Sequence, residues 1–165
     1  MSLYSDVTIK VLAVQSAETG YASGSSAKLD VKQALTSGTT ANKADLKHSS
    51  IRSLSGSGNE DVDMRALEDG QGNVLTTLTE VVVFAIKAAA ANGGALRVKP
   101  SASSGWAALL SGSSNYLIVQ PGATLILVCP ADGKYTVGSS TKSINVENTD
   151  ASAASYELLI VGRSA

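Results

Sequence analysis

TTLTEVVVFAI, residues 76–86, decides the fold of this 165-residue chain. Thr, Val, Ile and Phe crowd these eleven positions, and β-branched and aromatic side chains suit a pleated, half-buried surface better than a helix. The stretch therefore reads as a central strand. Val81, Val83 and Ala85 on one parity and Val82, Phe84 and Ile86 on the other are all apolar, which predicts cover on both faces, from a second layer or a neighbouring subunit.

Around this strand the rest of the chain reads as short strands. Residues 6–14 and 27–35 alternate with period two, and the Gly/Ser/Ala-rich stretch 16–26 between them reads as a surface loop or part of an extended arm. Residues 38–61 show little periodicity and predict loop with one short strand at 51–54. Residues 63–67 follow as a further candidate, and EDGQGN (68–73) has the chemistry of a tight turn. Beyond the central strand, KAAAA (87–91) is too short to nucleate a helix, and Asn92-Gly93-Gly94 closes it off. Further strands are expected at 95–99, 106–110, 116–119, 124–129, 134–137, 143–147 and 156–161. Ten or so short strands with turns about every ten residues predict an all-β antiparallel sandwich or barrel.

Composition agrees. Only 16% of residues are charged, against about 25% in ordinary soluble domains, and aromatics are 4%, so the core must be aliphatic. Thirteen basic and fourteen acidic residues give a net charge of −1 with no run of like charge, which predicts no nucleic-acid partner. The start MSLYSDVTIK lacks a basic, apolar leader, and no apolar run approaches the ~18 residues of a membrane span, so neither signal-driven export nor membrane embedding is expected. Cys129, the single cysteine, lies in TLILVCP and reads as a buried small hydrophobe.

Candidate chemistry is sparse. His48, the only histidine, sits near Asp45 and Ser49, but no G-x-S-x-G elbow accompanies them and a solvated loop histidine is the expected reading. S-x-x-K occurs at Ser25–Lys28 and Ser139–Lys142 without partner motifs. Asp69, Gln71, Asn73 and Glu80 imitate a calcium-loop spacing, yet position 6 is Val74 rather than glycine, so a hairpin turn is expected. One His and one Cys cannot furnish a dedicated zinc site. Gly56-Ser57-Gly58 lacks the strand, helix and G-K-[ST] of a phosphate loop. Trp106 reads as a core or interface anchor, with a stacking platform for a sugar or base as the alternative. No enzyme activity and no cofactor are expected.

The order of motifs resembles a family of small structural proteins of tailed bacteriophages and prophages. The likeness is carried by GTTANKAD (38–45), IRSL (51–54), D-x-x-x-L-x-D-G-x-G-N (63–73), VQPG (119–122), INVEN (144–148) and YELLIVG (156–162). It runs over residues 38–165. The resemblance implies a jelly-roll-like β-sandwich that acts as a virion component, a head decoration or cement protein. Its partners would be the major capsid protein or other virion subunits, met during assembly in the host cytoplasm. A carbohydrate- or receptor-binding module of a tail or fibre is the alternative. No catalytic residues come with the resemblance. Residues 1–37 lie outside it, as an arm or as first strands of one continuous domain; a homotrimer is expected, with Tyr4, Tyr21 and Trp106 as candidate interface residues.

Overall fold

The strand at the centre runs over Leu78–Ala88, two residues later than its sequence predicts. In the computed structural model, which describes residues 5–15 and 25–164, Thr76 belongs to the preceding turn and its carbonyl accepts from Arg65 Nε (2.8 Å). At the far end the ladder carries Lys87 and Ala88 along, because Ala88 pairs with Tyr156 and tertiary pairing overrides the helix preference of alanine. The described elements in order are β1 (Ser5–Gln15), β2 (Ser25–Ser37), β3 (Lys43–Ala44), β4 (Leu46–Leu54), β5 (Asn59–Asp63), β6 (Leu78–Ala88), β7 (Leu96–Pro100), β8 (Leu117–Val119), β9 (Thr124–Val128), β10 (Ser143–Asn148) and β11 (Ala154–Ser164).

The last eight strands form an all-β sandwich of two antiparallel sheets, ordered β4-β11-β6-β9 and β5-β10-β7-β8. Chain order alternates between the sheets except at the β7–β8 hairpin and sets the first of these strands, β4, beside the last, β11, the winding of a jelly roll. Between the sheets lie Phe84, Ile86, Trp106, Ile144, Tyr156 and Ile160, all buried. Among the described residues no helix is long and apolar enough to cross a membrane.

The inner face of β6 is buried and its outer face is covered at Val82 and Val83 but not at Lys87, and its parity breaks twice. Val161 pairs with Val83 and Gly162 with Val81, leaving Val82 unopposed; Arg163 pairs with Glu80 and Ser164 with Leu78, leaving Thr79 unopposed. These bulges flip the side chains that follow. Val81 therefore joins Phe84 and Ile86 in the core, while Val82 and Val83 both lie outside it with Leu35, Ala44 and Val161. Gly162 permits the bulge, since a Cβ there would sit 2.5 Å from the Glu80 carbonyl oxygen. The freed carbonyl of Val82 accepts from the Cys129 backbone N–H (2.9 Å).

Several segments depart from expectation. Residues 46–63, expected to be mostly loop, hold two edge strands. Their inward positions include His48, Ser50, Arg52 and Glu60, so polar residues hide the period. Of the candidate strand 63–67 only Asp63 is in a strand, as the end of β5; residues 64–67 form a turn, with Asp63 accepting from the Arg65 N–H (2.9 Å) and the Ala66 N–H (3.0 Å). Residues 106–110 are also turned, closed by Leu109 N–H to the Trp106 carbonyl (3.2 Å). The segment 134–137 contributes only one isolated bridge, Glu80 to Thr136. Cys129 is partly exposed and free, not buried.

Residues 5–15 and 25–37 are strands, but they join neither sandwich sheet. β1 and β2 form an antiparallel hairpin, and β2 continues parallel to β3 through Thr36–Lys43 and Ser37–Ala44. Leu35 anchors the hairpin on the outer cluster of β6.

Candidate functional site

Most polar side chains singled out by sequence turn out to brace the sandwich. Trp106, a candidate interface residue, is fully buried. Its indole donates to the Thr136 carbonyl (2.9 Å), and its ring packs 5.8 Å from both Phe84 and Tyr135. It holds the 101–110 and 134–137 segments on the core and is not available to a partner or a sugar. Tyr4 and Tyr21, the other two candidates, lie outside the described residues.

His48 is likewise a buried strand residue, 7% exposed, and not a solvated loop histidine. Its Nδ1 donates to the Glu68 carbonyl (2.6 Å), and its Nε2 is hydrogen-bonded to Ser50 Oγ (2.8 Å). The nearby Asp45 accepts instead from the Ser164 backbone N–H (2.8 Å), so the two do not form a relay. Asp69 caps its own turn, accepting from the N–H groups of Gln71 and Asn73 (2.8 and 2.9 Å), and the bridge Glu68–Val74 makes 68–74 the expected hairpin. Among the described residues no group of three or more His, Cys, Asp or Glu side chains is assembled to hold a metal.

Two interior networks escape the sequence. Glu80 and Arg163 form a buried ion pair at the bulged end of β6 and β11. Arg163 Nε donates to the Lys43 carbonyl (2.9 Å) and its Nη1 also reaches Asp132 (3.0 Å), while Glu80 accepts from the Lys134 N–H (2.8 Å). At the other end, Arg52 Nε lies 3.1 Å from both Glu60 oxygens, and Tyr156 donates its hydroxyl to Glu60 (2.7 Å). Burial alone would raise the Glu60 carboxyl. The hydrogen bonds from Arg52 and Tyr156, with the Arg52 charge, outweigh it and hold the group below its ordinary 4.5. Burial first, and the bond to Glu60 second, push the Tyr156 phenol far above its ordinary range, so it stays a donor.

The sign of the pH effect follows. A carboxyl held lower in the folded state stabilises fully above its unfolded value and loses that contribution as pH falls through the folded one. The urea midpoint is therefore expected to fall on acidification below about 4.5. Glu60→Gln should flatten part of that slope, leaving the parts due to Glu147, which the Lys99 hydrogen bond foremost holds low, and to Asp69, which the Asn73 side-chain hydrogen bond foremost holds low. A midpoint with the same slope in the variant would show that Glu60 does not contribute.

The outward faces differ in kind. Outside the β5-β10-β7-β8 sheet is a polar groove of about 290 Å³ lined by Asn59, Asp61, Lys99 and Asn145. Asn145 Nδ2 donates to Asn59 (3.1 Å) and Asp61 (2.7 Å), and Ser101 donates to Asp61 (2.8 Å). Nearby, the Arg97 guanidinium lies 4.8 Å from the centre of the half-exposed Tyr116 ring. Outside the β4-β11-β6-β9 sheet is a larger groove of about 480 Å³ with Ile51, Ala85 and Leu159 in its lining. Ile51 is 80% exposed and Ile126, on the same face, 41%. The larger groove is also lined by Ser49, Ser50, Lys87 and Glu157, the last two an ion pair at 3.0 Å. Ile51 was legible only as part of the 51–54 strand; that it points outward follows once His48, Ser50 and Arg52 are known to point in. No protein-family model matches this chain, and no curated protein sequence matches it significantly.

Proposed function

We propose that this chain is a bacteriophage virion structural protein, a head decoration or cement protein that binds major capsid subunits as a homotrimer and stabilises the shell. The observation that carries the reading is a pair of exposed isoleucines, Ile51 on β4 and Ile126 on β9, on the outer face of the β4-β11-β6-β9 sheet, with the Lys87–Glu157 ion pair on the rung of Ile51. Isoleucines at 80% and 41% exposure on one sheet face suit a protein–protein contact. The resemblance of residues 38–165 to phage structural proteins supports it, as does a jelly roll whose interior polar groups serve as braces. Threefold symmetry closes such contacts and can match the threefold sites of an icosahedral shell, so three weak contacts gain avidity.

The polar groove favours a second reading, a carbohydrate- or receptor-binding module of a tail or fibre. Fixed amide and carboxylate groups such as Asn145, Asn59 and Asp61 can orient a polar ligand such as a sugar. Quantitative mass spectrometry of purified particles from the source phage or prophage separates the two. Copies comparable in number to capsid subunits are expected. A handful of copies per particle would move the assignment to the tail, and particles lacking the protein would overturn both virion readings.

A further inference from the structure

The outer face of the β5-β10-β7-β8 sheet is a ladder of polar rungs. One sets Asp61, Asn145 and Lys99 side by side, and the next sets Asn59, Glu147 and Arg97. Four of these six, Asn59, Asp61, Lys99 and Asn145, line the groove of about 290 Å³. Ser113 lines it from the turn 112–115, which the Asn115 N–H closes onto the Gly112 carbonyl (3.3 Å).

Of the polar lining residues Asn145 is the buried one, 8% exposed. A carboxylate only accepts, so the amide atom 2.7 Å from Asp61 is Nδ2, and its second hydrogen goes to Asn59 Oδ1 (3.1 Å). Both hydrogens are thus engaged toward β5. The Oδ1 atom lies on the other side of the planar amide and accepts no hydrogen bond among the described residues. Since no sealed side-chain N or O among those residues lacks a partner, this oxygen opens into the groove.

Asp61 is fixed as firmly, with one oxygen on Asn145 and the other accepting from Oγ of the buried Ser101 (2.8 Å). A carboxylate has about four lone-pair sites, so roughly two stay free. Asn59 uses its oxygen on Asn145, which leaves its Nδ2 to donate. Lys99 and Arg97 both bind Glu147 (3.0 and 3.2 Å), so neither cation is free to take an acidic group. Asp61 itself belongs to no ion pair among the described residues. The groove therefore offers fixed acceptors beside a donor, with no spare positive charge. A ring hydroxyl both donates and accepts, so adjacent hydroxyls answer both kinds of group at once. Groups already held in place lose little freedom when they bind.

We propose that this groove binds a neutral glycan and discriminates against acidic sugars. Neighbouring sugar hydroxyls donate to Asp61 and Asn145 Oδ1 and accept from Asn59 Nδ2. An acidic sugar would meet the unpaired Asp61 carboxylate and find no free cation. The volume lies at the small end of ligand sites, which begin at about 300 Å³, and suits a terminal sugar rather than a long chain. This rests on the carbohydrate part of the second reading above and not on where in a particle the chain sits.

The test applies full-length protein, fluorescently labelled on the free Cys129 thiol, to an array of neutral hexose and N-acetylhexosamine glycans with their sialylated and uronic-acid counterparts. Retention on at least one neutral glycan is expected, and at least tenfold less on its acidic counterpart. Ser113→Trp fills the groove from an exposed turn outside the Asp61 network and should lower retention at least tenfold. Asp61→Asn keeps the shape and still accepts from Asn145, so it should hold the urea midpoint yet lower retention at least fivefold, because hydrogen bonds to a charged acceptor are the stronger. No retention on any neutral glycan would overturn the proposal, as would acidic counterparts that bind equally or better. So would retention unchanged in both variants, which would place the bound sugar elsewhere. A handful of copies per particle with no glycan retained would refute the site and leave the tail placement standing. Glycan retention with copies matching capsid subunits would refute the tail placement and leave the site standing.

Discussion

Replacing Glu80 by alanine is expected to destabilise the protein by about 3–5 kcal/mol, because it leaves the Arg163 guanidinium, 1% exposed, without its buried counter-charge. Arg163→Met should cost a similar amount by orphaning Glu80 and the carbonyl of Lys43. For a domain whose whole stability is about 5–15 kcal/mol, either change approaches unfolding. The double variant Glu80→Leu/Arg163→Met should recover much of the loss, since a buried ion pair adds little over a well-packed apolar pair once both charges are gone. Urea denaturation reads all three. Single changes that cost less than about 1 kcal/mol would mean that water reaches the pair and that the bulge is held by backbone alone.

The second large effect concerns the two faces of β6. Phe84 lies in the core beside Trp106, and Val83, 2% exposed, lies under Leu35 and Ala44. Phe84→Asp and Val83→Asp should each destabilise by several kcal/mol, because an unpaired carboxylate is costly to bury on either side. Ile126→Asp, on the same outer face as Val83 but 41% exposed, should change the stability of the isolated chain by less than about 1 kcal/mol. A silent Val83→Asp would show that the hairpin base does not cover the sheet.

These contrasts also mark what could be read from sequence. β6, β10 and β11 were legible because their inward positions are aliphatic or aromatic and period two survives over most of their length. β4 and β5 were not. Inward His48, Ser50, Arg52 and Glu60 satisfy each other or the backbone in the fold, and no composition rule distinguishes such residues from a polar loop. Arg163 illustrates the same limit at the C-terminal end, where 156–161 read as a complete strand although pairing continues to Ser164. A lone arginine after a glycine looks like solvent; only the bulge that turns it onto Glu80 makes it a brace. Residues 106–110 erred the other way, since Trp106 and its apolar neighbours imitate a strand while one buried indole holds a turn. The outer groove was legible only as the expectation that both faces of β6 need cover. That the chain supplies half of it through Leu35 depends on contacts between residues far apart in sequence.

The measurement that bears most directly on the central claim, a sandwich that works by assembling with copies of itself, is the mass of the full-length protein by light scattering over a rising concentration series. The account predicts a concentration-dependent approach to three times the 16.7 kDa chain, lost in Ile126→Asp. A 16.7 kDa species throughout the series would contradict it.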